Sequence, residues 1–163
     1  MKKPTLQTIF SIYAADKKGL IGQILVYFNR KNFAVSSLNV ARTDIRDLVL
    51  VTLEAVVPEK ELQPFVERLK KVIEVYDVQT YAGCLKKTGF YRMAILNETL
   101  WGIMHRYGAV LSSLGEQSVV ISKTGSDDDL EELYRRLEGP HLLGFCKSGL
   151  IVDQSLSPLV ELG

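Results

Sequence analysis

The residues best placed to do chemistry lie where an apolar stretch passes through a glycine into a helical pattern, at Tyr13-Ala14-Ala15-Asp16-Lys17-Lys18-Gly19-Leu20-Ile21. A helix start exposes backbone N–H groups and partial positive charge, which favour an anionic group such as a carboxylate. Asp16 sets a fixed negative charge beside those donors and can receive an ammonium. One acidic side chain plus one helix start suits a zwitterion, so an amino acid is the first ligand to consider. Taken alone, the residue types favour a purely structural role, since Asp commonly caps helices and glycine commonly turns chains. The surrounding elements have to decide between the two.

Other reactive groups are sparse. The two histidines, His105 and His141, have no neighbour that would complete a catalytic dyad. His105 sits beside Arg106 on a short helical pattern and reads as surface or packing, while His141 follows Gly139-Pro140 and reads as a loop residue. Cys84 and Cys146 stand far apart without an activating base, which predicts free thiols and neither a zinc cluster nor a disulfide framework. The run Asp127-Asp128-Asp129 lacks the glycine and spaced oxygens of a calcium loop and is better explained by helix-start electrostatics. Neither a phosphate-binding P-loop nor a dinucleotide fingerprint occurs. No catalytic residue and no metal site is therefore assigned. Phe10, Tyr13, Phe90 and Tyr91 resemble a stacking platform for RNA, but the glycine-aromatic motif of such sheets is missing and charge is balanced, so core packing is expected.

The elements that must position the glycine seam follow from periodicity. Leu6 to Ala14 alternates with period two and predicts a strand; Leu20, Ile21, Ile24, Leu25 and Phe28 recur at helical spacing. Phe33 to Val40 and Leu48 to Val57 predict two further strands joined by a hairpin loop over residues 43–47. Pro58 is expected to open a second helix whose buried stripe is Leu62, Phe65, Val66, Leu69, Val72 and Ile73, and Val75 to Tyr81 a fourth strand. The order strand, helix, strand, strand, helix, strand is ferredoxin-like.

The same order recurs beyond Gly83: strand from Phe90 to Leu96, helix from Glu98 to Tyr107 capped by Asn97, strands from Ala109 to Leu114 and Ser118 to Lys123. A helix started by Ser126 follows, buried through Leu130, Leu133, Tyr134 and Leu137, then a last strand from Leu142 to Val152 and a loose tail after Ser155. The expected architecture is α+β, two tandem ferredoxin-like (βαββαβ) domains over residues 1–83 and 84–163.

With 163 residues, 47% hydrophobic and a formal net charge of +1, the chain can bury a sizeable core and has no broad electrostatic pull toward nucleic acid or membrane. The absence of a signal-peptide core or a run of membrane-spanning length predicts a cytoplasmic location.

The segments Asp16-Lys17-Lys18-Gly19-Leu20-Ile21-Gly22-Gln23-Ile24 and Phe33-Ala34-Val35-Ser36-Ser37-Leu38-Asn39-Val40 resemble an ACT domain, and more narrowly that of the small regulatory subunits of acetolactate synthase. Gly108-Ala109-Val110-Leu111-Ser112, residues 119–125 and Phe145-Cys146-Lys147-Ser148-Gly149 resemble that family's C-terminal ferredoxin-like domain. The resemblance implies a homodimer with a branched-chain amino acid, valine first, between two ACT domains, and association with a separate catalytic large subunit. Thiamine diphosphate, magnesium and FAD are expected only in that partner; this chain is expected to hold no cofactor. The implied effector-binding residues are Asp16, on the ligand's amino group, Lys18, the backbone N–H groups around Gly19, Leu20 and Ile21, and Ala34 and Val35. At Ala34 the chain departs from feedback-inhibited members, which place an asparagine whose amide holds the ligand from the neighbouring protomer. Losing such a bond to a charged group costs on the order of 1.5 to 3 kcal/mol, or about tenfold or more in affinity. That departure implies weak effector binding, or a different residue or ligand. A free-standing ACT-type amino-acid sensor acting on another target is the alternative that the first half alone leaves open.

Overall fold

Thr5–Ala15 forms the strand β1, followed by α1 (Leu20–Arg30), β2 (Val35–Arg42), β3 (Leu48–Pro58), a 3-10 turn at Glu59–Glu61, α2 (Leu62–Lys70) and β4 (Val75–Ala82). The same succession then repeats as β5 (Lys87–Met93), α3 (Glu98–Tyr107), β6 (Val110–Leu114), β7 (Val119–Gly125), α4 (Asp127–Leu137) and β8 (Leu142–Gly149). This computed structural model describes residues 4–153. Each half carries a four-stranded antiparallel sheet, ordered β2-β3-β1-β4 and β6-β7-β5-β8, so both halves are ferredoxin-like. One compact unit runs to Leu85 and takes back the chain from Ile151; the other is Lys86–Leu150. The boundary thus lies two residues beyond the Gly83/Cys84 junction read from sequence, and Ile151 belongs again to the first unit. The expected tail beyond Ser155 lies outside the described residues.

In the first unit the apolar stripes of α1 and α2 cover one sheet face. Phe65 of α2 stands edge-on to Phe10, Phe28 and Phe33, with ring centroids 5.8, 4.8 and 5.0 Å apart. Such edge-to-face pairs add about 0.5–1.5 kcal/mol each beyond the area they bury. Period-two alternation implied one apolar face and one mixed face for β1, yet the second face, with Ile9, Ser11 and Tyr13, is equally buried. Ile151 packs on Tyr13, Leu48 and Leu50 there, and the buried Glu54 carboxylate accepts from the Leu85 N–H at 2.8 Å and the Ser36 hydroxyl at 3.0 Å.

Several boundaries differ from the sequence expectation for local reasons. Pro58 ends β3 and a 3-10 turn separates it from α2, because an extended residue carrying no N–H can close a strand at its end. Lys71 N–H and Val72 N–H bond back to Arg68 O and Leu69 O, tightening the end of α2. That shift of phase leaves Ile73, expected in the buried stripe, 90% exposed. Ala34 precedes β2 instead of lying within it. In the second unit β5 starts three residues earlier than Phe90 and stops at Met93, and β8 stops at Gly149 where the chain turns away toward the first unit.

The second unit buries Tyr91, Met93, Leu100, Met104, Ile121, Leu133 and Leu137 beneath α3 and α4. The Tyr91 hydroxyl donates to Leu130 O at 2.6 Å, and burial pushes its pKa up to about 12. Asp127, in the first turn of α4, accepts from Lys87 at 2.7 Å and from Lys147. Partial burial pushes the Asp127 carboxyl up, but the bonds from Lys147 and Lys87 and their charges outweigh it and hold it below the ordinary carboxylate value.

Candidate functional site

The glycine seam is built by the end of β1 and the start of α1. Ala15 N–H bonds to Glu74 O at 2.8 Å and Asp16 N–H to Asp47 O at 2.9 Å, so the chain leaving β1 is tied both to the start of β4 and to the β2–β3 hairpin. Lys17 N–H then folds back on Ala15 O, and Gly19 takes φ 86°, ψ −4° as the residue preceding the helix. That left-handed conformation is open to glycine at no steric cost and expensive for other residues.

Asp16 is not the helix cap: Gly19 occupies the cap position, and among the described residues no side chain bonds the first turn of α1. The capping role considered for Asp16 is therefore excluded. Of the four N–H groups that a helix start leaves over, those of Gly19, Leu20, Ile21 and Gly22, the Leu20 N–H turns back on Lys17 O at 3.2 Å. The other three have no intrahelical acceptor, and the first turn of α1 contains no acidic residue to meet its positive end. Gly22 was not singled out by sequence, although it follows the seam directly. A Cβ built at Gly19 or Gly22 meets nothing within 4 Å, so the backbone of this turn is open to approach.

Asp16, Lys17, Lys18 and Gly19 are exposed, Ile21 half-buried, and Leu20 turns into the core at 4% exposure. Asp16 also lines a hollow of about 310 Å³ at the hairpin end of the sheet, together with Arg42, Thr43, Arg46 and Asp47. The two arginines beside Asp16 were not identified from sequence as site residues; Arg42 stands two residues beyond the ACT-like segment that ends at Val40.

Ala34 and Val35 do not meet the seam within one chain. Ala15 pairs with Leu48 and Arg42 with Val49, whereas Val35 pairs with Ala55, which itself faces Thr8. The seam is level with the end of β2, and Val35 stands at its beginning, seven residues or about 23 Å along the sheet. Strand β2 is an edge strand, with Leu38 and Val40 40% and 48% exposed.

The remaining candidates resolve simply. His105 is exposed in the last turn of α3, and His141 is exposed in the α4–β8 connection. Both cysteines are free and exposed. The acidic run starts α4, where Ser126 and Asp129 form a reciprocal capping box at 3.0 and 3.1 Å. Phe10, Tyr13 and Tyr91 are buried, which leaves Phe90, 40% exposed, as the single member of the aromatic set on the surface. Among the described residues no helix is long and apolar enough to cross a membrane.

No family model matches the chain. Among curated proteins it is 22% identical over 157 residues to the acetolactate synthase small subunit of Mycolicibacterium smegmatis, an alignment spanning 93% of this chain and 92% of that one. It is 26% identical over 151 residues to the chloroplastic acetolactate synthase small subunit 2 of Arabidopsis thaliana, covering 86% of this chain and 30% of the plant protein. Among solved structures, the acetolactate synthase small subunit of Thermotoga maritima superposes with a TM-score of 0.76 at 14% identity, over 89% of this chain and 94% of that one. Both halves thus align with one kind of protein, and the chain is a relative of the acetolactate synthase small subunits.

Proposed function

We propose that this chain is a non-catalytic regulatory subunit that stimulates an acetolactate synthase catalytic subunit and confers sensitivity to a branched-chain amino acid, valine first. The observation that carries this reading is the alignment of both units, over 93% of the chain, with an acetolactate synthase small subunit. The cofactors of the reaction, thiamine diphosphate, magnesium and FAD, belong in this reading to the catalytic partner.

The effector site forms in a homodimer. Two β2 edges paired antiparallel across a two-fold axis would carry the Val35 end of one protomer to the seam end of the other, since these ends lie at opposite extremes of the strand. The ligand carboxylate then meets the Gly19, Ile21 and Gly22 N–H groups, its ammonium meets Asp16, and the partner's Ala34 segment closes the site. The uncapped, acid-free start of α1 and the open backbone at its glycines support that placement. Coupling to the catalytic subunit requires that the effector bind one arrangement of the complex more tightly than another.

The test is to mix the purified chain with an acetolactate synthase catalytic subunit and follow acetolactate formation. A rise in turnover that valine reduces supports the reading; unchanged turnover overturns it. Calorimetry with valine, leucine and isoleucine ranks the effectors. Ala34→Asn, which restores the missing amide, is expected to tighten valine binding about tenfold or more.

A further inference from the structure

The second unit has its own counterpart of the glycine seam, where β5 passes into α3. There Ala94 N–H bonds to His141 O at 2.8 Å, repeating the bond of Ala15 to Glu74 in the first unit. Between this connection and the C-terminal end of α4 lies a hollow of about 360 Å³, at the small end of the range that binds metabolites. Its apolar wall is formed by Ile95, Leu100 and Ile103, and its rim carries Arg136 and Glu138. Ile95 is 43% exposed and Ile103 half-buried, so the hollow leaves branched aliphatic surface open to water. Arg135, the neighbour of Arg136, is engaged by Glu131 at 2.7 Å, whereas Arg136 and Glu138 have no ion-pair partner among the described residues. A second hollow of the same unit, between α4 and β8, differs in this respect, because its Asp127 and Lys147 are already paired with each other.

We infer that the hollow between α3 and the end of α4 binds a small monocarboxylate with a branched aliphatic body, its carboxylate on Arg136 and its alkyl group against Ile95, Leu100 and Ile103. A guanidinium takes a carboxylate through paired hydrogen bonds, which fixes the head group at the rim. An aliphatic body of a few carbons then removes the exposed isoleucine surface from water. Two sources share this chemistry, a branched-chain amino acid and the corresponding α-keto acid. Glu138 separates them, since only the amino acid brings an ammonium for it to receive.

Methyl-resolved NMR of the full chain, titrated with L-valine and separately with α-ketoisovalerate, tests the assignment. Ile95 and Ile103 methyl signals are expected to shift with at least one probe, and Arg136→Gln to weaken that response about tenfold or more while Arg135→Gln leaves it in place. Glu138→Gln weakens binding of valine and not of the keto acid. Asp16→Ala, which strikes the seam of the first unit, leaves the Ile95 and Ile103 response intact, so failure of either site is seen separately. The inference falls if neither probe moves these methyl groups at millimolar concentration, or if Arg136→Gln leaves the response unchanged.

Discussion

The two units share one strand order but start their helices differently. In the second unit α3 begins with the Asn97 side chain accepting from Leu100 N–H at 2.9 Å and Glu98 in its first turn. Helix α4 begins with the Ser126 capping box and three aspartates. Donors and positive charge at both starts are met by the protein's own side chains. In the first unit α1 begins on a left-handed glycine with neither a side-chain cap nor an acidic residue. A helix start capped by glycine is less stable than one capped by an Asn or Ser side chain by only about 0.3 kcal/mol. It is also the one able to offer its N–H groups to something that arrives from outside. Repetition within one chain thus separates what the fold requires from what it does not.

The largest effect that sharpens this contrast is expected at Asp127, whose charge at the start of α4 is committed to Lys87 and Lys147. Asp127→Asn should lower stability by about 2 kcal/mol, mostly through the Lys87 contact, since exposed pairs such as that with Lys147 contribute little. The folded carboxyl is held below its ordinary value of 3.8, so its contribution is complete above that pH and is lost as pH falls through the depressed folded value. Urea unfolding of both proteins between neutral pH and pH about 3 checks this. The substituted protein should lose less stability on acidification than the parent; parallel curves would show that Asp127 does not carry the acid sensitivity.

Much of this arrangement is legible in the sequence, and what is missing shares one cause. Asn97 and Ser126 announce their helices because capping is local, and the apolar runs locate the eight strands of the described residues to within a few residues. The seam at Gly19 is legible for the same reason. Ile73 was misplaced because the end of α2 tightens by a single turn, and an apolar stripe extrapolated past that turn points outward. The burial of Ser11, Thr52 and Glu54 on the second face of the first sheet has no signature in period two, since a mixed face is ordinarily wet. The return of Ile151 to Tyr13 and Leu50 joins positions more than a hundred residues apart, beyond any windowed pattern. At the candidate site, sequence identified Asp16 through Ile21 but not Gly22, Arg42 or Arg46. The separation of Ala34 from the seam follows from sheet register, which only the strand pairing reveals.

A smaller effect is expected at the cap itself. Asn97→Ala removes the bond to Leu100 N–H and should cost about 1 kcal/mol in urea unfolding. Binding of valine at the seam of the first unit should be unchanged in the same protein. A weaker response of the Ile21 methyl signals, at the seam itself, to valine after loss of a cap in the second unit would show that the two helix starts are not independent.

The smallest change is the most pointed, because it runs in the opposite direction. Gly22 lies in the first turn of α1, where a Cβ would meet nothing within 4 Å, and its φ is not in the left-handed range. Alanine there restricts the unfolded chain and favours the helix, so Gly22→Ala should stabilise the protein by about 0.5–1 kcal/mol. Folding alone gives no reason for glycine at this position. If the N–H groups of the turn receive a carboxylate, the added methyl stands beside the approach to the Gly22 N–H, and calorimetry should find valine bound several-fold more weakly by the more stable protein. A gain in stability with unaltered binding would place the ligand away from this turn and leave the open start of α1 without a function.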